Sequence, residues 1–196
     1  MTFKPLKSLI SAGIAAIALS VVATGVQAAE YTIDPTHSFV EFKTKHLGYS
    51  WLSGRFNTLK GTMEYDSSKG EGDQKISLEI DTASIDTNHA ERDKHLRSSD
   101  FLDVAKFPTA TFVSTGYKGG ENGGTLSGDL TLHGVTKNIS FEVKKIGEGD
   151  DPWGGYRAGF EGSYELTRKD FNMGYNLGPA AETVILDLWI EAIRNK

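Results

Sequence analysis

The residues best suited to chemistry crowd into one stretch, Ser84 to Pro108, which reads SIDTNHAERDKHLRSSDFLDVAKFP and holds two of the five histidines. Metal binding is the first chemistry to weigh. His89 and His95 are six positions apart, which on a helix sets them about 240° from each other. They do not share a face. His89 and Asp93 do, but two ligands make a weak site, and the other histidines, His37, His46 and His133, are scattered. There is no HExxH pair, so no metal is expected. Hydrolysis fares no better. The glycines of GTLSGDL have the wrong spacing for a nucleophile elbow, and Gly119-Gly120 and Gly123-Gly124 lack the helix and lysine of a phosphate loop.

Anion recognition remains. On a helix, Asn88, Arg92 and His95 fall near one line, at 0°, about 40° and about 340°. Arg92 has the fork geometry for a phosphate or carboxylate, with Asn88 and His95 adding hydrogen bonds. Arg55, Arg168 and Lys169 are further basic candidates at strand ends. The competing structural reading is that Arg92 pairs with Asp86 or Asp100 and fastens the helix. Asn88 serves as the expected N-cap with Glu91 three residues on. Acids come early, Glu91 and Asp93, and bases late, Lys94, His95 and Arg97, as the helix dipole prefers. Phe101, Leu102, Val104 and Phe107 then form an apolar anchor. A segment with one polar and one apolar side suits a lid or mouth.

The elements that must position this segment are strands. YRAGFEGSYEL alternates Tyr156, Ala158, Phe160, Gly162, Tyr164 and Leu166 against polar residues, and KISLEIDTA does the same with Ile76, Leu78 and Ile80. ETVILDLWIEAI sets Val184, Leu186, Leu188, Ile190 and Ala192 on one face. Further strands are expected at 38–46, 54–58, 59–65, 109–115, 125–132 and 138–146. DSSKGEGD, GYKGGENGG and GEGDDPWGG are expected to be loops, and HGVTKN a tight turn. This spacing suggests a sandwich or barrel. Very small residues hold several inward slots: Gly61, Ala110, Gly128, Ala158 and Gly162. They either leave room for a ligand in an eight-stranded barrel or serve bends and bulges.

The first residues are set apart. Lys4 and Lys7 precede an apolar run and then Val26-Gln27-Ala28, the pattern of a secretory signal peptide cleaved after Ala28. The apolar run is shorter than the ~20 residues of a membrane span. Residues 29–196 are expected to form one domain, exported to the periplasm and not integral to the membrane. The chain has no cysteine and a formal charge of −5, which argues against thiolate chemistry and against nucleic acid as a partner.

YTIDPTHSFVEFKTKHLGYSWLSGRF, DTNHAERDKHLRSSDFLDVAKFPTATF, LSGDLTLHGVTKNISFEV and GDDPWGGYRAGFEGSYELTRKDFNMGYNLGPAAE follow one another in the order seen in the YceI-like proteins. The chain resembles that family along nearly all of its length after the leader. The resemblance implies an all-β fold with one short helix, an extended, antiparallel, eight-stranded, lipocalin-like β-barrel with a helical lid segment. It also implies an apolar pore for an isoprenoid, quinone-like or other long-chain lipid, with the head near the mouth, a tie to stress responses in some members, and no catalysis or cofactor. Candidate head-group residues are Asn88, Arg92, His95 and Arg55. Candidate tail residues are Phe42, Phe56, Phe112, Leu130, Leu132, Phe141, Ala158, Phe160, Gly162, Tyr164, Leu186 and Leu188. Two alternatives stand beside this reading: a hydrolase using the Asn88–His95 region, and a filled barrel acting through its surface. An edge strand would support a homodimer.

Overall fold

The computed structural model describes residues 1–2, 28–66 and 74–196. The expected leader falls almost wholly outside the described residues, as does most of the DSSKGEGD loop. The described chain forms β1 (Ala29–Ile33), β2 (Phe39–His46), β3 (Ser50–Phe56), β4 (Leu59–Tyr65), β5 (Lys75–Asp81), β6 (Ile85–Asp86), helix α1 (Ala90–Leu96), β7 (Thr109–Gly120), β8 (Gly123–Leu132), β9 (Val135–Asp150), β10 (Tyr156–Thr167) and β11 (Thr183–Arg194). Eight strands close into an antiparallel barrel in the order β1-β4-β5-β7-β8-β9-β10-β11, with β11 returning to β1.

Closure depends on a shared edge. β11 pairs with β1 through Ala192–Arg194 and with β2 through Ile185–Trp189. β2, β3 and β6 therefore fan out as a flap from one end of the barrel. Where the two pairings part, the Ser38 hydroxyl accepts from the Glu191 amide at 3.0 Å and donates to its carbonyl at 3.1 Å. The Ser38 hydroxyl thus satisfies the Glu191 amide and shares its carbonyl with Asp34 N, which donates to it at 2.8 Å. β1 is absent from the sequence-based strand set because its five residues abut the leader, although Ala29, Tyr31 and Ile33 do alternate with Glu30 and Thr32.

Two expected loops are largely strand. β7 runs on to Gly120 and β8 begins at Gly123, leaving only Glu121-Asn122 as the turn, and β9 runs through the glycines at 147 and 149 to Asp150. Glycine is a poor strand former, but here the ladder decides. A Cβ on Gly119 would lie 2.6 Å from Gly124 Cα, so the bare backbones pack where side chains would not fit. The HGVTKN turn forms as expected, with His133 and Gly134 both at positive φ.

The inward small residues follow neither sequence expectation alone. Gly128 and Gly162 seat aromatic rings from neighbouring strands, whereas Gly61 packs against Ile33 and the Ser77 carbonyl. A Cβ on Gly128 would come within 2.6 Å of the Phe112 ring, and one on Gly162 within 3.1 Å of the Phe141 ring. The rings cover the glycine backbone and hold the register.

α1 begins one residue later than the sequence suggests. His89 is the N-cap, its Nδ1 accepting from Arg92 N at 3.3 Å. Asn88 instead adopts φ 61°, a left-handed conformation that asparagine tolerates, and its amide donates to Asp86 Oδ1 at 2.8 Å. The cap shifts because the Asp86 carboxylate captures the turn first.

Candidate functional site

A narrow cavity of about 140 Å³ runs inside the barrel. Its walls are alternate side chains of successive strands: Met63 from β4, Ile76, Leu78 and Ile80 from β5, Phe112 from β7, Leu126 and Leu130 from β8, Ile139, Phe141 and Val143 from β9, and Leu186, Leu188 and Ile190 from β11. Ala110 and Gly120, both on the wall, span about 33 Å of strand β7. The cavity is thus long for its volume. As it stands it compares with the ~150 Å³ apolar cavity that admits benzene, so a longer guest must swing rings aside. Phe112, Phe141 and Tyr164 form a row with centroids 5.7 and 6.1 Å apart.

Eight of the twelve expected tail residues line this cavity: Phe112, Leu130, Phe141, Phe160, Gly162, Tyr164, Leu186 and Leu188. The other four lie outside its wall. Phe42 and Leu132 are buried in the cluster that ends the cavity, with Leu102, Phe171 and Met173, and Phe56 packs against that cluster. Ala158 is wholly buried at the opposite end, beside Tyr31 and Ala192. These four share the inward face, but sealed layers separate them from the open space. Val40, Met63, Leu126, Ile139 and Val143 are wall residues absent from the expected set. Their alternation was available in the sequence, whereas their position along the axis was not.

The Ser84–Pro108 segment closes the barrel end at which β5 stops and β7 starts. Leu102 and Ile85 are buried there, with Leu96 and Val104 packed against them. Two of the expected head-group residues, Arg92 and His95, are engaged in holding this closure. Arg92 donates from Nε to Thr87 Oγ1 at 2.7 Å and from Nη2 to Thr87 O at 2.6 Å. Asp93, buried beneath it, accepts from Thr87 N at 2.9 Å. Arg97 donates to Ala83 O at 2.7 Å. His95 pairs with Asp100 at 2.8 Å and stacks edge-on against Phe101 and Tyr175. Arg55 is exposed on the flap, opposite Asp86 in the ladder. None of Asn88, Arg92, His95 and Arg55 borders the cavity. Of the other basic candidates, Arg168 is buried and donates to the carbonyls of Ala181, Met173 and Tyr175. Lys169 pairs with Glu182 at 2.8 Å on the surface.

The cavity meets polar groups at its other end, between Tyr65 and Gln74 on one side and Tyr117, Gly120 and Glu121 on the other. Tyr31 and Tyr65 fill the barrel just beyond, and the exposed Arg194 covers them from the rim. Burial, reinforced by the charge of Glu148, pushes the Tyr65 phenol well above its usual range, so it stays neutral. Arg194 donates to the Tyr31 hydroxyl from Nη2 at 2.9 Å and lies 4.0 Å from the Tyr156 ring centroid.

Among the described residues, Asp34, His37 and Glu191 bring ligand atoms together. The centre of this group is occupied by Arg157, which donates from Nη1 to Asp34 Oδ2 at 2.8 Å and to Glu191, and from Nε to Asp151 Oδ2 at 2.9 Å. Burial alone would raise the Asp34 carboxyl, but hydrogen bonds from Thr36, His37 and Arg157 more than offset it and hold the group well below the usual carboxylate range. A guanidinium already supplies the cation that these carboxylates need, so the group ties the β1–β2 and β9–β10 turns to β11.

The sequence profile of the YceI-like domain matches residues 31–192. A UPF0312 protein of Pseudomonas aeruginosa is 56% identical over 169 residues, covering 85% of this chain and 88% of the relative. The protein YceI of Escherichia coli is 49% identical over 192 residues, covering 97% and 99%. Among solved structures, a Campylobacter jejuni YCEI protein superposes with a TM-score of 0.70 at 25% identity, over 93% of this chain and all of that one. A polyisoprenoid binding domain from Saccharophagus degradans shares the fold, with a TM-score of 0.63 at 19% identity over 86% of this chain and 99% of that one.

Proposed function

The chain belongs to the YceI-like family, and from that premise we propose that it binds the apolar tail of an isoprenoid-type lipid inside the barrel, as a carrier rather than an enzyme. The observation that carries this is the cavity: its long walls are apolar, one end is sealed by packed hydrophobic side chains, and polar groups collect at the other. A tail placed there gains about 0.8 kcal/mol for each CH₂ removed from water, less the cost of moving the rings that narrow the pore. The fold shared with the polyisoprenoid binding domain supports the isoprenoid class. Catalysis has no comparable support, because His89, His95, Asp86, Asp93 and Asp100 are committed to neighbouring side chains and backbone. The amino-terminal pattern supports export, which makes the periplasm the proposed compartment and a membrane-derived lipid, quinone-like or otherwise, the proposed cargo. Among the described residues no helix is long and apolar enough to cross a membrane.

The test is to express the full chain with its leader, purify it from the periplasmic fraction without detergent, extract it with organic solvent and identify the extract by mass spectrometry. A stoichiometric isoprenoid supports the reading. Protein that is empty and fails to take up added geranylgeraniol contradicts it.

A further inference from the structure

Past the cavity end that lies away from α1, two charged side chains point into the barrel. Lys145 and Glu148 belong to β9, where they face Phe160 and Ala158 of β10. Both partners are inward residues, one on the cavity wall and one wholly buried. Simple alternation would turn Glu148 outward if Lys145 points inward. A bulge at Ile146 inserts one residue and brings both to the same face. Their side chains are only 10% and 16% exposed, and Lys145 Nζ lies 3.3 Å from Glu148 Oε1 and 3.8 Å from Glu121 Oε1.

That leaves one atom unanswered. Among the described residues, Glu148 Oε2 is buried and has no hydrogen-bond partner. A buried carboxylate oxygen without a donor is costly, and the groups nearby do not relieve it. Arg194 is spent on the Tyr31 hydroxyl, and Lys145 is turned to the other oxygen. Tyr65 stands between this pair and the cavity, its ring 5.1 Å from that of Phe160.

We infer that Lys145 and Glu148 form the head-group site of the bound lipid, and that they select a neutral head carrying an O–H or N–H. The donor of such a head satisfies Glu148 Oε2, and its own oxygen accepts from the remaining donors of Lys145 or from the Tyr65 hydroxyl. A phosphate or diphosphate has acceptors where the site needs a donor, and it would set negative oxygens against Glu148. This inference rests on the tail-binding reading, since it places the head where the tail's cavity ends.

Three probes with the same saturated isoprenoid tail test it: phytanol, phytanyl diphosphate and the hydrocarbon phytane, each competing against the fluorophore N-phenyl-1-naphthylamine on the full-length, delipidated protein. The alcohol is expected to bind about tenfold more tightly than phytane, the worth of one hydrogen bond to a charged group, and more tightly than the diphosphate. Glu148→Ala is expected to shrink the preference for the alcohol over phytane to less than about twofold. Equal binding of alcohol and phytane, or a diphosphate that binds best, overturns the head-group site while the tail reading stands. Failure of all three to bind overturns both. The ranking on the unmodified protein decides the matter even if the variant does not fold.

Discussion

At the helix end of the barrel, β5, β7, β8, β10 and β11 finish against Leu102, Phe171 and Met173. At the other end the same strands, with β1, β4 and β9, finish against Tyr31, Tyr65, Lys145 and Glu148. The first closure is apolar where it meets the cavity, and its charged groups, Arg92, Asp93, Arg97 and the buried Arg168, are taken up by Thr87 and by backbone carbonyls. The second is mixed, with aromatic rings carrying hydroxyls and an ion pair left one hydrogen bond short. A lipid tail would be stopped by the first and a polar head met by the second. The charged segment at the helix end is therefore scaffolding, and the opposite end is the one with an unmet demand.

The comparison can be broken most forcefully at the sealed end. Phe171 is 1% exposed, and Phe171→Ala should cost about 3–5 kcal/mol in urea unfolding. Tail affinity should hold in the fraction that stays folded. Arg157→Met probes the polar staple that ties the β1–β2 and β9–β10 turns to β11. It strands the carboxylates of Asp34 and Asp151, each with a side chain 8% exposed, and should cost about 2–3 kcal/mol in the same assay. Gly162→Leu pushes on the Phe141 ring from within the pore. It should cost about 1–2 kcal/mol through overpacking and weaken tail binding by about tenfold, so unchanged binding would show that the guest lies elsewhere.

Acid sharpens the contrast in the same region. The folded-state pKa of Asp34 is depressed, so its contribution is present above the unfolded value of about 3.9 and is lost as the pH falls below it. Stability should decline below about pH 4, and Asp34→Asn should flatten that limb of the urea-midpoint profile. The smallest effect is expected at the most reactive-looking residue. His95→Ala removes an exposed pairing with Asp100 and two ring contacts, worth about 1 kcal/mol or less, and should leave lipid binding intact.

The barrel was legible because alternation in β5, β10 and β11 states which side chains point inward, and inward means the same thing on every strand of a closed sheet. Position along the axis was not legible. Phe42, Phe56, Leu132 and Ala158 satisfy the alternation as well as Phe112 does, yet they belong to sealed layers. The glycine-rich ends of β7, β8 and β9 read as loops because their strand character comes from a partner backbone that local propensity does not record. The bulge at Ile146 hid Glu148 for a related reason. A one-residue insertion moves every later side chain to the other face, and only the β10 register reveals it. Arg92 and His95 illustrate the converse: a helix wheel brought them together correctly, but Thr87 and Asp100, which claim them, lie off that face.

The most direct measurement is a crystal structure of the protein loaded with geranylgeraniol. The account predicts the tail between Phe112 and Leu188, its far end toward Leu130, and the hydroxyl near Tyr65, Lys145 and Glu148. A tail lying outside the barrel, or a hydroxyl beside Arg92 at the helix end, would contradict it.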